Sequence, residues 1–103
     1  MTKYTVIAGL NDKDTKKQEI TIAEAYNHII NALKNNGAEG ATLTECKGLY
    51  IHDDGTPVFE NSIKIELLFI EYEAVKAIAN ELKKTLNQEA VVIEAINLDS
   101  ELY

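Results

Sequence analysis

A few places in this 103-residue sequence hold side chains that could do chemistry. His52-Asp53-Asp54 could supply metal ligands or a general acid/base pair. Metal selection needs three or four convergent ligands. No second His or Cys lies close in sequence, and His28 falls on a flank of the first helical segment. Asp53 and Asp54 are also turn formers, which leaves His52 as a solvated strand end. Asp12 and Asp14 alternate as hard-cation ligands do, but they lack the glycine and terminal Glu of a calcium loop. Lys13, Lys16 and Lys17 would repel a cation there and suit an anion or acidic partner better. Cys46 is the single cysteine, and it becomes a nucleophile only with a depressed pKa and an adjacent base. Glu45, Glu60 and Glu66 could pair for acid/base work if burial separated their pKa values. Lys47 and Lys64 alternate with them as neutralising partners, the pattern of a salt-bridged interface rim. The residues thus supply no catalytic set, no cofactor-binding set and no metal set.

The elements that position these groups centre on Gly40 to Ile70, two long segments around Asp54-Gly55. Asp-Gly between such segments predicts a β-hairpin, because tight hairpin turns need positive φ. Centring the turn on that pair opposes Tyr50 to Phe59, Cys46 to Ile63, Thr44 to Ile65 and Glu45 to Lys64. The aromatic pair and the opposite-charge pair are worth about 0.2–1 kcal/mol each. Thr42, Thr44, Cys46, Tyr50, Phe59, Ile63, Ile65, Leu67 and Phe69 then form a core face. The other face carries Leu43, Glu45, Lys47, Leu49, Ile51, Val58, Glu60, Ser62, Lys64, Glu66, Leu68 and Ile70. A solvated face of an antiparallel sheet should be polar, so the six large aliphatics on this one predict a cover. The expected interface is Leu43, Glu45, Lys47, Leu49, Ile51, Val58, Lys64, Glu66, Leu68 and Ile70, most simply against a second copy. The C-terminal tail, through Leu98, Leu102 and Tyr103, is the alternative cover.

Around the hairpin, Tyr4 to Leu10 predicts a first strand, and the polar run Asn11 to Gln18 a loop. Thr21 and Glu24 have capping-box spacing. Ile22, Ala25, Tyr26, Ile29 and Leu33 then follow helical spacing up to a left-handed stop at Gly37. Val75, Ile78, Ala79, Leu82 and Leu86 make a second stripe, and Ala90 to Ile96 predicts a last strand. The order β-α-β-β-α-β is that of the ferredoxin-like α+β fold, a four-stranded antiparallel sheet with two helices on one face. Residues 1–96 are expected to form one such domain, and 97–103 a short acidic tail.

A net charge of −7, with all ten basic residues Lys, excludes a phosphate-backbone binder and suits a basic partner. Apolar runs are too short to span a bilayer. A lone cysteine suits a reducing cytosol, so a cytoplasmic protein without nucleic-acid or membrane partners is expected.

GAEGATLTECKGLY at 37–50 and NSIKIELLFIEYEAVKAIANEL at 61–82 resemble the second strand, third strand and second helix of the PII signalling family. The resemblance implies a homo-oligomeric small-molecule sensor. The family's long mobile loop is here a tight turn, and Thr85-Leu86-Asn87-Gln88-Glu89 replaces its phosphate-holding stretch, which argues against PII-type ATP binding. GLNDKDTKKQEI at 9–20, GLYIHDDGTPVFEN at 48–61 and LNQEAVVIE at 86–94 look like small uncharacterised proteins of bacteriophages and Gram-positive bacteria. That resemblance implies a non-enzymatic interaction protein, with inhibition of a host or defence protein (anti-CRISPR-like) as the expected class. A dimeric ferredoxin-like enzyme would need a polar group between sheet and helices, where Tyr26, His28 and Tyr50 are the candidates.

Overall fold

Two amphipathic helices and four strands alternate as the sequence pattern requires. The computed structural model describes residues 1–103. The strands are β1 (Thr2–Gly9), β2 (Thr42–Ile51), β3 (Pro57–Leu67) and β4 (Val92–Asn97), and the helices are α1 (Ile22–Asn35) and α2 (Tyr72–Thr85). All strand pairs are antiparallel, in the order β2-β3-β1-β4. The two innermost strands supply Val6, Ala8, Ile63, Ile65 and Leu67, and the helices supply Ala25, Ile29, Ala32, Val75, Ile78 and Leu82, all fully buried. This is the ferredoxin-like arrangement.

Both helix ends are set locally. The Thr21 hydroxyl accepts from Glu24 N–H at 3.1 Å while the Glu24 carboxylate accepts from Thr21 N–H at 3.3 Å, completing the capping box. Gly37, at φ +73°, lets Ala38 N–H reach the Leu33 carbonyl at 3.0 Å and close α1 in a Schellman motif. Asn87 does the same for α2 at φ +48°, with Gln88 N–H on the Lys83 carbonyl at 2.9 Å.

The hairpin register differs from the expectation by one residue. Leu49 opposes Phe59, Glu45 opposes Ile63, Cys46 opposes Ser62 and Thr44 opposes Lys64. The cause is the loop. His52 and Thr56 close it through His52 N–H to the Thr56 carbonyl at 2.9 Å, leaving three residues, Asp53 to Gly55, in the turn. Gly55 takes the left-handed position at φ +87°, and the Asp54 carboxylate accepts from Thr56 N–H at 2.9 Å. A three-residue loop with Gly in that position is as legitimate as the two-residue turn, and it shifts every pair by one.

A one-residue shift exchanges the faces of β2. Leu43, Glu45, Lys47, Leu49 and Ile51 therefore lie on the helix side with Ile63 and Ile65, not on the open face. Val58, Lys64 and Glu66 stay on the open face, where Thr42, Thr44, Cys46 and Tyr50 join them. Leu68 and Ile70 follow the end of β3, and Ile70 packs against the core. The expected ten-residue interface is thus divided between two sides of the sheet. Cys46 is half-buried beside Ser62 rather than set into the core beside Ile63.

Strand length leaves part of the hairpin uncovered. The 14-residue helices run about 21 Å and the 11-residue β3 about 36 Å. The molecule accordingly measures 47 × 25 × 22 Å. On the projecting arm, Leu49, Ile51 and Phe59 are 57%, 64% and 65% exposed on the side that continues the core.

The register has a chemical test. Directly opposed Cβ atoms lie about 4.5–5.5 Å apart, close enough to cross-link with a small adjustment. Mild oxidation of Ser62→Cys should form an intramolecular disulfide with Cys46 and consume both thiols. Ile63→Cys, which points to the opposite face, should leave Cys46 titratable. The reverse result would restore the two-residue turn.

Candidate functional site

A cleft of about 500 Å³ opens where β2 begins and β3 ends. Its walls are the run 37–42, Glu66, Leu68, Phe69, Ile70 and Leu102. The run enters because the Schellman stop at Gly37 turns the chain sharply from α1 toward β2. Thr42 and Glu66 face each other across the β2–β3 ladder, so the shifted register brings them to the cleft together. Glu66 is half-buried, and its Oε1 accepts from Lys3 Nζ at 3.2 Å, leaving Oε2 as an acceptor. Glu39 adds a second carboxylate to the wall. Leu68, Phe69, Ile70, Ala38, Ala41 and Leu102 give it an apolar lining. Clefts of this size, mostly apolar with a few polar groups, are the usual form of small-molecule sites.

The other sequence candidates fall elsewhere. His52, Asp53 and Asp54 sit at the hairpin tip, and His52 meets Tyr50 edge-on with ring centroids 5.4 Å apart. Hydrogen bonds from Thr56 hold Asp54 below its ordinary pKa. Tyr26 lies across from Glu45 on the helix side; partial burial, then the Glu45 carboxylate, holds its phenol above the ordinary value. Glu60 folds over Gly9, where an added Cβ would meet its carboxyl at 2.4 Å, and accepts from Asn11 N–H at 2.9 Å. It fastens the first loop to the sheet. Asp12 and Asp14 both accept from Asn87 Nδ2 at 2.9 Å, while Gln88 Nε2 donates to the Asn11 carbonyl at 2.7 Å. The first loop is therefore tied to the end of α2.

Of the expected interface residues, Glu66, Leu68 and Ile70 line the cleft. The sequence pattern places Thr42 and Phe69 on a core face, Gly37 at a helix stop and Leu102 in the C-terminal tail, and so does not bring them together. The glycine spacing of GAEGAT was the one local signal for a backbone-lined wall.

No protein-family model matches the chain, nor does any curated protein sequence. Solved structures do. A phage S-adenosylmethionine (SAM) lyase in complex with S-methyl-5'-thioadenosine is 26% identical over 92% of this chain and 79% of the lyase, with a TM-score of 0.72. The apo lyase aligns equally well, at a TM-score of 0.73. The periplasmic divalent cation tolerance protein CutA from Archaeoglobus fulgidus aligns over 99% of this chain and 88% of its own, at 15% identity and a TM-score of 0.63. The B. subtilis GlnK–ATP complex aligns over 92% and 82%, at 13% identity and a TM-score of 0.58. The last two likenesses are of fold alone, and the PII-like resemblance holds at that level.

The lyase corrects the expectation of a non-enzymatic inhibitor of a host or defence protein. An enzyme shares this fold and about a quarter of the residues over nearly the whole chain. That expectation rested on the acidic charge, the phage-like resemblance and the absence of a catalytic constellation.

The Asp12 tether has a pH signature. Asn87, then the N–H groups of Asp14 and Thr15, hold Asp12 below its ordinary 3.8. A carboxylate whose folded pKa is lowered adds stability at pH above the unfolded value and loses it as pH falls through the folded one. Asn87→Gly keeps the left-handed backbone and removes the amide. It should lower the melting temperature at neutral pH and flatten its decline as the pH falls below the ordinary carboxylate value of 3.8. Parallel melting curves for both proteins below that value would refute the tether.

Proposed function

We propose that this chain binds SAM in the cleft bounded by residues 37–42, Glu66 and residues 68–70, and cleaves it to S-methyl-5'-thioadenosine. The supporting observation is the likeness to a phage SAM lyase, seen with that thioether bound, over 92% of the chain. The bond broken is the one between the sulfonium sulfur and the γ-carbon of the methionyl group. Sulfur leaves as a neutral thioether, taking the bonding pair. The substrate's own carboxylate attacks the γ-carbon, so the second product is a lactone that keeps its ammonium. No proton moves, and charge balances at +1 on each side.

Such a reaction asks the protein for position and exclusion of water more than for an acid or base. The apolar wall supplies the exclusion. Glu66, with Oε1 turned to Lys3, presents Oε2 to a cationic group of the substrate. A net charge of −7 favours the approach of a cationic ligand, giving the acidic surface a use that needs no basic protein.

Purified protein incubated with SAM should release S-methyl-5'-thioadenosine, followed by chromatography, well above the spontaneous rate. Glu66→Gln should lower kcat/KM by about tenfold or more, the order of one lost charge-assisted contact. Wild-type protein that releases no thioether would end the proposal.

The same reading includes self-association, through the hairpin arm rather than the open face. Leu49, Ile51 and Phe59 would each gain about 1.5–3 kcal/mol on full burial, before association costs. Sedimentation at low micromolar concentration should give an oligomer for wild type. Leu49→Asp should give a folded monomer, since the arm lies beyond the helices. A monomeric wild type would exclude this partner.

A further inference from the structure

We infer that Phe69 is the aromatic platform on which the adenine of the bound nucleoside stacks, an assignment that rests on the SAM reading above. The chain has five residues at positive φ: Gly37, Gly55, Lys16, Asn87 and Phe69. Glycine takes that conformation without a Cβ penalty and Asn takes it readily. Phe69, at φ +56°, is the one bulky apolar residue among them, and there the conformation is a steric outlier.

The surrounding chain imposes the strain. Leu67 is fully buried at the end of β3, and Ile70 packs against the core three residues later. Glu71 then caps α2 in an extended conformation. The chain must bend between the buried Leu67 and the partly buried Ile70, and Phe69 carries the bend. A glycine would serve the backbone better. The benzyl group contributes nothing to the core in exchange, because Phe69 is 54% exposed and lines the cleft with Leu68, Ile70 and Leu102. Strained residues concentrate where a side chain must be presented to a ligand. An exposed ring in a cleft beside carboxylates offers a π-face to a flat heterocycle, and such stacking is tolerant of the base and strong.

The test uses the full chain, S-methyl-5'-thioadenosine, adenosine and SAM, with affinities from calorimetry. Phe69→Leu should bind the thioether and adenosine about tenfold or more weakly than wild type. Phe69→Trp should retain affinity. As the chain holds no other Trp, its fluorescence should change saturably at the same ligand concentrations. Phe69→Gly should melt higher than wild type without ligand, through relief of strain, and lose the affinity. Thioether binding by Phe69→Leu within twofold of wild type would overturn the platform and leave the SAM reading standing. Loss confined to SAM would also overturn it, assigning the ring to the sulfonium. So would loss that tracks subunit dissociation in sedimentation. A wild type that binds no thioether overturns both readings together.

Discussion

The loop between His52 and Thr56 governs more of this molecule than its five residues suggest. Because three residues, not two, separate the paired strand ends, the even positions of β2 face outward and the odd ones face the helices. Leu43 thereby reaches the core, Glu45 meets Tyr26, and Thr42 stands opposite Glu66 at the mouth of the cleft. With the alternative turn, Leu43 would leave the core and Thr44 would take its place against Ile65. Pairing energies along the strands are small per pair. The turn and the packing of the partly buried Leu43 against the core decide the register together.

Elements whose signals are local were legible in the sequence. Thr21 and Glu24 lie three residues apart and need only each other to start α1. The α2 stripe from Val75 to Leu82 is buried as its spacing requires. Asp54-Gly55 marked the turn but not its length, since both hairpin loops accept Gly at the positive-φ position. The aromatic and charged pairs that favour the two-residue turn are small enough for the turn and the packing of the partly buried Leu43 to outweigh them. The cleft was hidden for a different reason. Its walls come from the end of α1, the end of β3, the approach to α2 and the C-terminal segment, and no window of sequence contains them. Phe69 read as the next core position of an alternating strand, because periodicity carries no information on where β3 ends.

The long hairpin shows how one sheet can serve two purposes. Its proximal half is covered by helices and contributes Ile63, Ile65 and Leu67 to the core. Its distal half outruns that cover and keeps apolar side chains on the same face. The apolar pattern of β2 therefore continues unchanged past the point where its own chain can bury it.

The cleft stands at the opposite end of the hairpin from the projecting arm, and the two ends are built on different physics. At the arm, regular strands carry exposed apolar groups, so burial against a partner is the available gain. At the cleft, the chain is irregular, glycine-rich on one wall and strained at Phe69 on the other, and carboxylates interrupt the apolar lining. A flat apolar face fits another protein surface; a notched one with carboxylates and an exposed ring suits the small cation proposed above. For a sulfonium nucleoside the reacting carbon already bears its leaving group. A site that holds the substrate folded onto its own carboxylate, away from water, lowers the barrier by orientation alone. On the proposed reading, a chain without a nucleophile–base pair acts through the residues that fix geometry.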